Sequence, residues 1–371
     1  MRRPVVLLLV LCLGVPLAAG APSAGAEPGP GYFASEDVEW ITIVPLETDS
    51  PGAALLDDTF YITTSRGLSI YDVSTPEAPV RLGGLTLLDT PQLSEEDVDT
   101  NGKILLLGTM GNLHIIDVED KSNPTELAAL PGADQHTMTC ILECKYAYGS
   151  DGIIVDLRDP ENPEIVGDWG EGMPASGGHD VTEVAPGRIV TSTNPIMLLD
   201  ARKDPVHPKL LAVGAPGDER FMHSNLWPRS MKDKFLLVGG ETSGPFCGEE
   251  TSGSFMTWDA TKWRKDKTFT MIDEYRVTDG LPTDGNAMVH TFCTHWFEQH
   301  PSFKNGGLVA MAWYEHGTRF FDISKKGQIS EVGYFLPVGG ATSAAYWITD
   351  EILYAVDYQR GIDILRFTGK K

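Results

Sequence analysis

Six times along this chain a short apolar run ends in an aspartate that opens a turn, and a seventh run carries its aspartate inside. The runs read GLSIYD, NLHIID, GIIVD, IMLLD, SFMTWD, TRFFD and GIDILRF, and their anchors are Asp72, Asp117, Asp156, Asp200, Asp259, Asp322 and Asp363. Successive anchors lie 45, 39, 44, 59, 63 and 41 residues apart. A period of that length with strand-like units is the signature of a propeller or a solenoid. Each anchored run follows another apolar run, such as FYITTS, ILLLGT, KYAYGS or RIVTST. A further segment precedes that pair (HDVTEVAPG) and a fourth follows it (PEIVGDW). These are stretches of four to eight residues rich in Val, Ile, Tyr and Phe, bounded by Gly, Pro, Asn and Asp, and helical periodicity is nowhere sustained. The sequence predicts an all-β fold, a seven-bladed β-propeller of four-stranded antiparallel blades.

The ends of the chain support the same number. The seventh unit has TSAAYWITD, ILYAVD and GIDILRF but no fourth strand, whereas VEWITIVPL, from Val38 to Leu46, belongs to no repeat. The orphan strand fills the gap and locks the ring, leaving only short, protected sheet edges. The predicted propeller spans 38–367, after a linker over 27–37 and before a tail over 368–371.

Within each unit, glycine opens the third strand, the apolar run packs between neighbouring blades, and Asp shapes the turn to strand four. The seven anchors are therefore read as structural. With LSIYD, LHIID, IIVD and IMLLD in hand, the units resemble the LVIVD repeat, over roughly residues 38–367. More distantly, the layout resembles the selenium-binding protein and methanethiol oxidase family. The first resemblance implies a propeller; the second implies copper-dependent oxidation of a small thiol. Neither assigns an activity, because a fold does not fix a function.

Arg2 and Arg3, the apolar run Val5–Leu17 and the small residues before Glu27 read as a secretory signal peptide over 1–26, cleaved after Ala26. The expected location is secreted or extracytoplasmic. Four cysteines would remain, and an even count in an oxidising compartment favours two disulfides among three possible pairings. Cys140 and Cys144 suit a hairpin, which leaves Cys247 with Cys293. Acidic residues outnumber basic ones 52 to 29, for a net charge of −23. Such a surface repels phosphate backbones and anionic lipid, so nucleic acid and, after signal cleavage, the membrane are excluded as partners.

Chemistry is sought at the upper face, where strand one begins and strands two and three connect. His136, His179, His223 and His290 each open strand one in units three to six by the reading QHTMTC, GHDVTE, MHSNLW and VHTFCT. Symmetry turns a common repeat position into proximity, and converging imidazoles suit a transition metal: copper, zinc or iron. Glu315 and His316, in the strand two to three connection of unit six, are candidate catalytic groups. Arg319 and Arg360 are candidates for an anionic substrate group. His114 is read as packed, His207 and His300 as loop residues. His295 is set aside because five residues from His290 it faces the other side of a strand. The fragment from Asp97 to Gly102 matches the start of a calcium loop, but Gly108 stands where the closing Glu belongs, so it is read as an acidic hairpin turn. HExxH, GxSxG, phosphate-loop and CxxC motifs are absent from the sequence.

Two functions follow as expectations. The first is a metal-dependent enzyme, an oxidoreductase or a Lewis-acid lyase or hydrolase, acting on a small molecule at a His-lined mouth. The second is a non-catalytic extracytoplasmic scaffold that binds a protein or polysaccharide.

Overall fold

The computed structural model describes residues 31–45, 52–64, 66–87, 98–109, 111–133, 135–214, 220–242, 253–277 and 293–370. The signal-peptide reading, Cys247, His290 and Asp97 lie outside these residues. Seven antiparallel sheets follow one another in chain order, spanning 53–86, 98–131, 138–168, 181–214, 221–275, 297–337 and 342–367. In blades 1 to 5 the four strands pair in chain order, the first innermost. Blade 7 has three strands of its own and takes its fourth from Val38–Pro45.

That borrowed strand runs antiparallel to Gly361–Phe367, with Val38 opposite Phe367 and Pro45 opposite Gly361. Its Trp40 indole N–H donates to Asp363 at 2.8 Å, while Arg360 grips the same carboxylate through Nε at 3.0 Å and Nη2 at 2.9 Å. The chain holds the ring a second time. Tyr32–Ala34, which the sequence reading places in a linker, is a strand paired with Phe335–Pro337, the fifth strand of blade 6.

The anchors explain the repeat. Asp72, Asp117, Asp156, Asp200 and Asp259 each accept the backbone N–H two residues on, at 2.8–3.3 Å. The carboxylate thus replaces a missing ladder partner where the strand ends and the turn begins. Asp363 departs from the pattern, since its carboxylate is spent on Arg360 and Trp40. The glycines before strand three also have a local cause: Gly67 adopts φ +135°, and a Cβ there would lie 2.2 Å from the Leu85 carbonyl oxygen. Between blades, the apolar faces of adjacent sheets form the core. Leu106 and Ile115 of blade 2 pack with Ala147 and Val155 of blade 3, and Phe60 and Ile62 of blade 1 with Tyr354 and Ile364 of blade 7.

Cys140 and Cys144 form the expected disulfide across the first hairpin of blade 3. Leu142, Glu143 and Cys144 all take positive φ in that turn. Cys293 is buried and disulfide-bonded, its partner lying outside the described residues. The acidic fragment is a turn: Asn101 Oδ1 accepts the N–H groups of Lys103 and Ile104, and Asp99 accepts those of Thr100 and Cys140. Among the described residues no helix is long and apolar enough to cross a membrane.

Because Asp363 and Arg360 are 1% and 8% exposed, D363A would leave a guanidinium buried without its counter-charge. The expected loss is about 3–5 kcal/mol, against about 1 kcal/mol for D72A, which removes a turn bond at an exposed site. Urea unfolding of the two variants measures both, and equal losses would remove the closing role assigned to Asp363.

Candidate functional site

Three of the four histidines singled out in the sequence come together. The ring centroids of His136 and His179 are 4.6 Å apart, and those of His179 and His223 are 3.7 Å apart. The fourth described member is His295, whose ring lies 4.4 Å from that of His223. Setting His295 aside is therefore corrected. Strand one of blade 6 is Phe297–Gln299, so His295 stands two residues before it, just as His136 and His179 stand two residues before strands one of blades 3 and 4. The row runs inward, from exposed His136 through His179 at 7% exposure to His223 and His295, both fully buried.

The backbone holds the row in place through side chains that reach the next blade. Thr137 Oγ1 donates to the His179 carbonyl at 2.6 Å, and Ser224 Oγ to the His295 carbonyl at 3.1 Å. His295 Nδ1 donates to the Ser343 carbonyl of blade 7. That bond fixes the tautomer: the lone pair is on Nε2, which faces the Tyr358 hydroxyl at 3.3 Å. Tyr358 stacks with Tyr314 at 5.8 Å between centroids, and Tyr314 donates its own hydroxyl to Glu241 at 3.2 Å. Trp296 lies against the His223 ring at 5.1 Å. Sequence reasoning missed Tyr314, Tyr358 and Trp296. Tyr314 and Tyr358 sit in the strand two to three connections of blades 6 and 7, positions that the upper-face argument itself selects.

The remaining candidates are placed differently. Arg319 is 1% exposed and donates to the His316 carbonyl at 3.0 Å and to Glu331 at 3.1 Å. Arg360 is held by Asp363. Both are corrected from substrate-binding to internal ion-pairing groups. His316 is buried, and Glu315, beside it, is half-buried. Asp180, adjacent to His179, turns into the seam between blades 4 and 5. It accepts Thr182 Oγ1 at 2.8 Å, Asn225 Nδ2 at 3.2 Å and Asn225 N–H at 3.3 Å. Burial pushes this carboxyl well above the usual range. Among the described residues, no three His, Cys, Asp or Glu side chains are already drawn together as a metal shell. His179 and His223 lie nearly face to face at 29°, so in this arrangement their nitrogens do not share a focus.

Asp357, next to Tyr358, is 2% exposed; its Oδ1 accepts the N–H groups of Gln359 and Arg360, while its Oδ2 is buried without a hydrogen-bond partner. Burial pushes its pKa up to about 6. A carboxyl raised in the fold favours the folded state while protonated, and that advantage fades as pH rises from about 4 through about 6. D357N keeps the Oδ1 acceptor and removes the charge. The variant should gain on the order of 2–3 kcal/mol over the parent at pH 8 and almost nothing at pH 4. Urea unfolding at the two pH values reads this difference, and a pH-independent difference would contradict it.

No family model and no curated protein matches the sequence. Solved structures match the fold. The WD40 repeats of RRP9 superpose with a TM-score of 0.59 at 12% identity, covering 90% of this chain and 98% of that one. A chain of the mitotic checkpoint complex gives 0.57 at 13% identity, covering 97% and 98%, and the N-terminal domain of Nup159 gives 0.54 at 10%, covering 92% and 96%. At such identities the likeness is one of architecture: the chain is a seven-bladed β-propeller with WD40-like structural neighbours.

Proposed function

We propose that the protein is an exported, metal-dependent enzyme of the LVIVD propeller type that acts on a small molecule at the upper mouth of its channel. One observation carries this reading: four imidazoles from four consecutive blades form a continuous row at the start of the inner strands. His136, His179, His223 and His295 would hold the ion, once His179 or His223 turns about its Cβ–Cγ bond to bring the nitrogens to a common centre. The donor set suits copper, zinc or iron. The Nδ1 bond from His295 to the Ser343 carbonyl is the kind of outer support that orients a ligand ring and fixes its tautomer. The bound ion would supply Lewis-acid or one-electron chemistry. Tyr358, hydrogen-bonded to His295, is the group best placed to give or take a proton beside it, a role that Glu315 or His316 was expected to fill. The Cys140–Cys144 disulfide fits an oxidising compartment.

A second reading, a scaffold for a protein partner, draws on the fold neighbours, one of which is a chain of the mitotic checkpoint complex. Phe33 and Val338, about half exposed at the outer edge of blade 6, offer it an apolar surface. Metal content separates the readings. Protein recovered from its native compartment should carry about one equivalent of a first-row transition metal, lost when His179 and His223 are both replaced by Gln with the fold retained. Ligand protonation should weaken binding on acidification. Metal-free protein that takes up no copper, zinc or iron, or stoichiometric metal in the double variant, would leave the scaffold reading standing.

A further inference from the structure

Arginine is scarce in this strongly acidic chain, and the structure spends nearly all it describes. Nine described arginines, at positions 158, 188, 202, 220, 229, 276, 319, 360 and 366, pair with carboxylates. Arg264 stacks on Trp263. Among the described residues, only Arg66 and Arg81 do neither, and both line the same cleft, of about 340 Å³.

The cleft lies on the seam where the ring closes. Pro45, the last residue of the borrowed strand of blade 7, forms one side. Strands three and four of blade 1 form the other, with Ser69 opposite Gly84 and Tyr71 opposite Arg81. Arg66 stands in the turn between strands two and three, and Arg81 begins near the other end of the strand three to four pair, so the cleft runs along the outer part of blade 1. Thr64, Ser69 and Thr86 add hydroxyls. Gly84 makes room for one guanidinium: a Cβ there would lie 2.7 Å from Arg81 Nη2. The Arg81 side chain therefore folds back along its own strand, over Gly84, while remaining exposed.

We propose that this cleft binds a small oxyanion-bearing ligand, with a phosphate, sulfate or carboxylate group on a hydroxylated body of about monosaccharide size. Two guanidiniums without a carboxylate partner among the described residues line one cleft of a chain whose net charge is −23, and each offers an oxyanion a fork of N–H donors. The hydroxyls suit the rest of such a ligand, and the cleft volume falls at the small end of ligand sites. This site is independent of the histidine row and of any metal there.

Calorimetric titration with inorganic phosphate, sulfate and galacturonate tests the assignment. At least one should bind saturably with one-to-one stoichiometry, and which one binds identifies the anionic group. R66Q/R81Q should weaken that binding at least tenfold, whereas R81K, which keeps the charge but loses the fork, should weaken it less. Both side chains are exposed and unpaired, so the variants should unfold like the parent. H179Q/H223Q should bind the anion as the parent does even if it has lost metal, so the two readings fail separately. No saturable binding of any of the three anions, or binding unchanged in R66Q/R81Q, would overturn the proposal.

Discussion

A propeller of four-stranded blades has to solve one problem that a stack of sheets does not: its last blade must find its first. Here the solution is the antiparallel ladder between Val38–Pro45 and Gly361–Phe367. The ladder completes blade 7 and brings its apolar face against blade 1, so that Tyr354 and Ile364 can pack on Phe60 and Ile62. It also explains why the seventh anchor differs from the earlier ones. Asp363 shares its carboxylate between Trp40 on the incoming strand and Arg360 on its own hairpin. A buried ion pair of this sort adds little net stability but penalises any other register, because a shifted strand would leave the charge alone.

The inner ring relies on a different kind of link. Thr137, Ser224 and His295 each reach from one blade to a main-chain carbonyl of the next. Asp180 does the equivalent with Asn225. These links set the spacing of the inner strands, and the spacing in turn brings each of four imidazoles to within 3.7–4.6 Å of the next. The histidine row is thus a product of ring geometry, not of any local motif.

The fold was legible because its cause is local and repeated. An apolar run, an Asp that caps its own turn and a Gly with positive φ recur at nearly constant spacing, and each can be recognised without knowing what lies across the blade. The site was legible only where the repeat stayed regular. His136, His179 and His223 follow directly from register. His295 did not, because the first strand of blade 6 is only three residues, Phe297–Gln299, too short and too polar to compete as a signal with the apolar alternation around His290. Arg319 and Arg360 were misread for another reason. Whether a cation is free depends on which carboxylate the fold brings to it, and the partner of Arg319 lies one strand away, at Glu331. Tyr32–Ala34 was hidden because a three-residue strand has no periodicity to detect.

The same N-terminal stretch that pairs with both blade 6 and blade 7 has a consequence in time. Tyr32–Ala34 and Val38–Pro45 are synthesised before any complete blade, yet their partners lie around residues 335–367. These two strands must therefore wait for their partners while blades 1 to 5 are made. Contacts so distant along the sequence make folding slow and leave edge strands open to wrong partners meanwhile. Any factor that holds this nascent segment apart until blade 7 emerges would act on the yield of folded molecules and leave the finished ring unchanged.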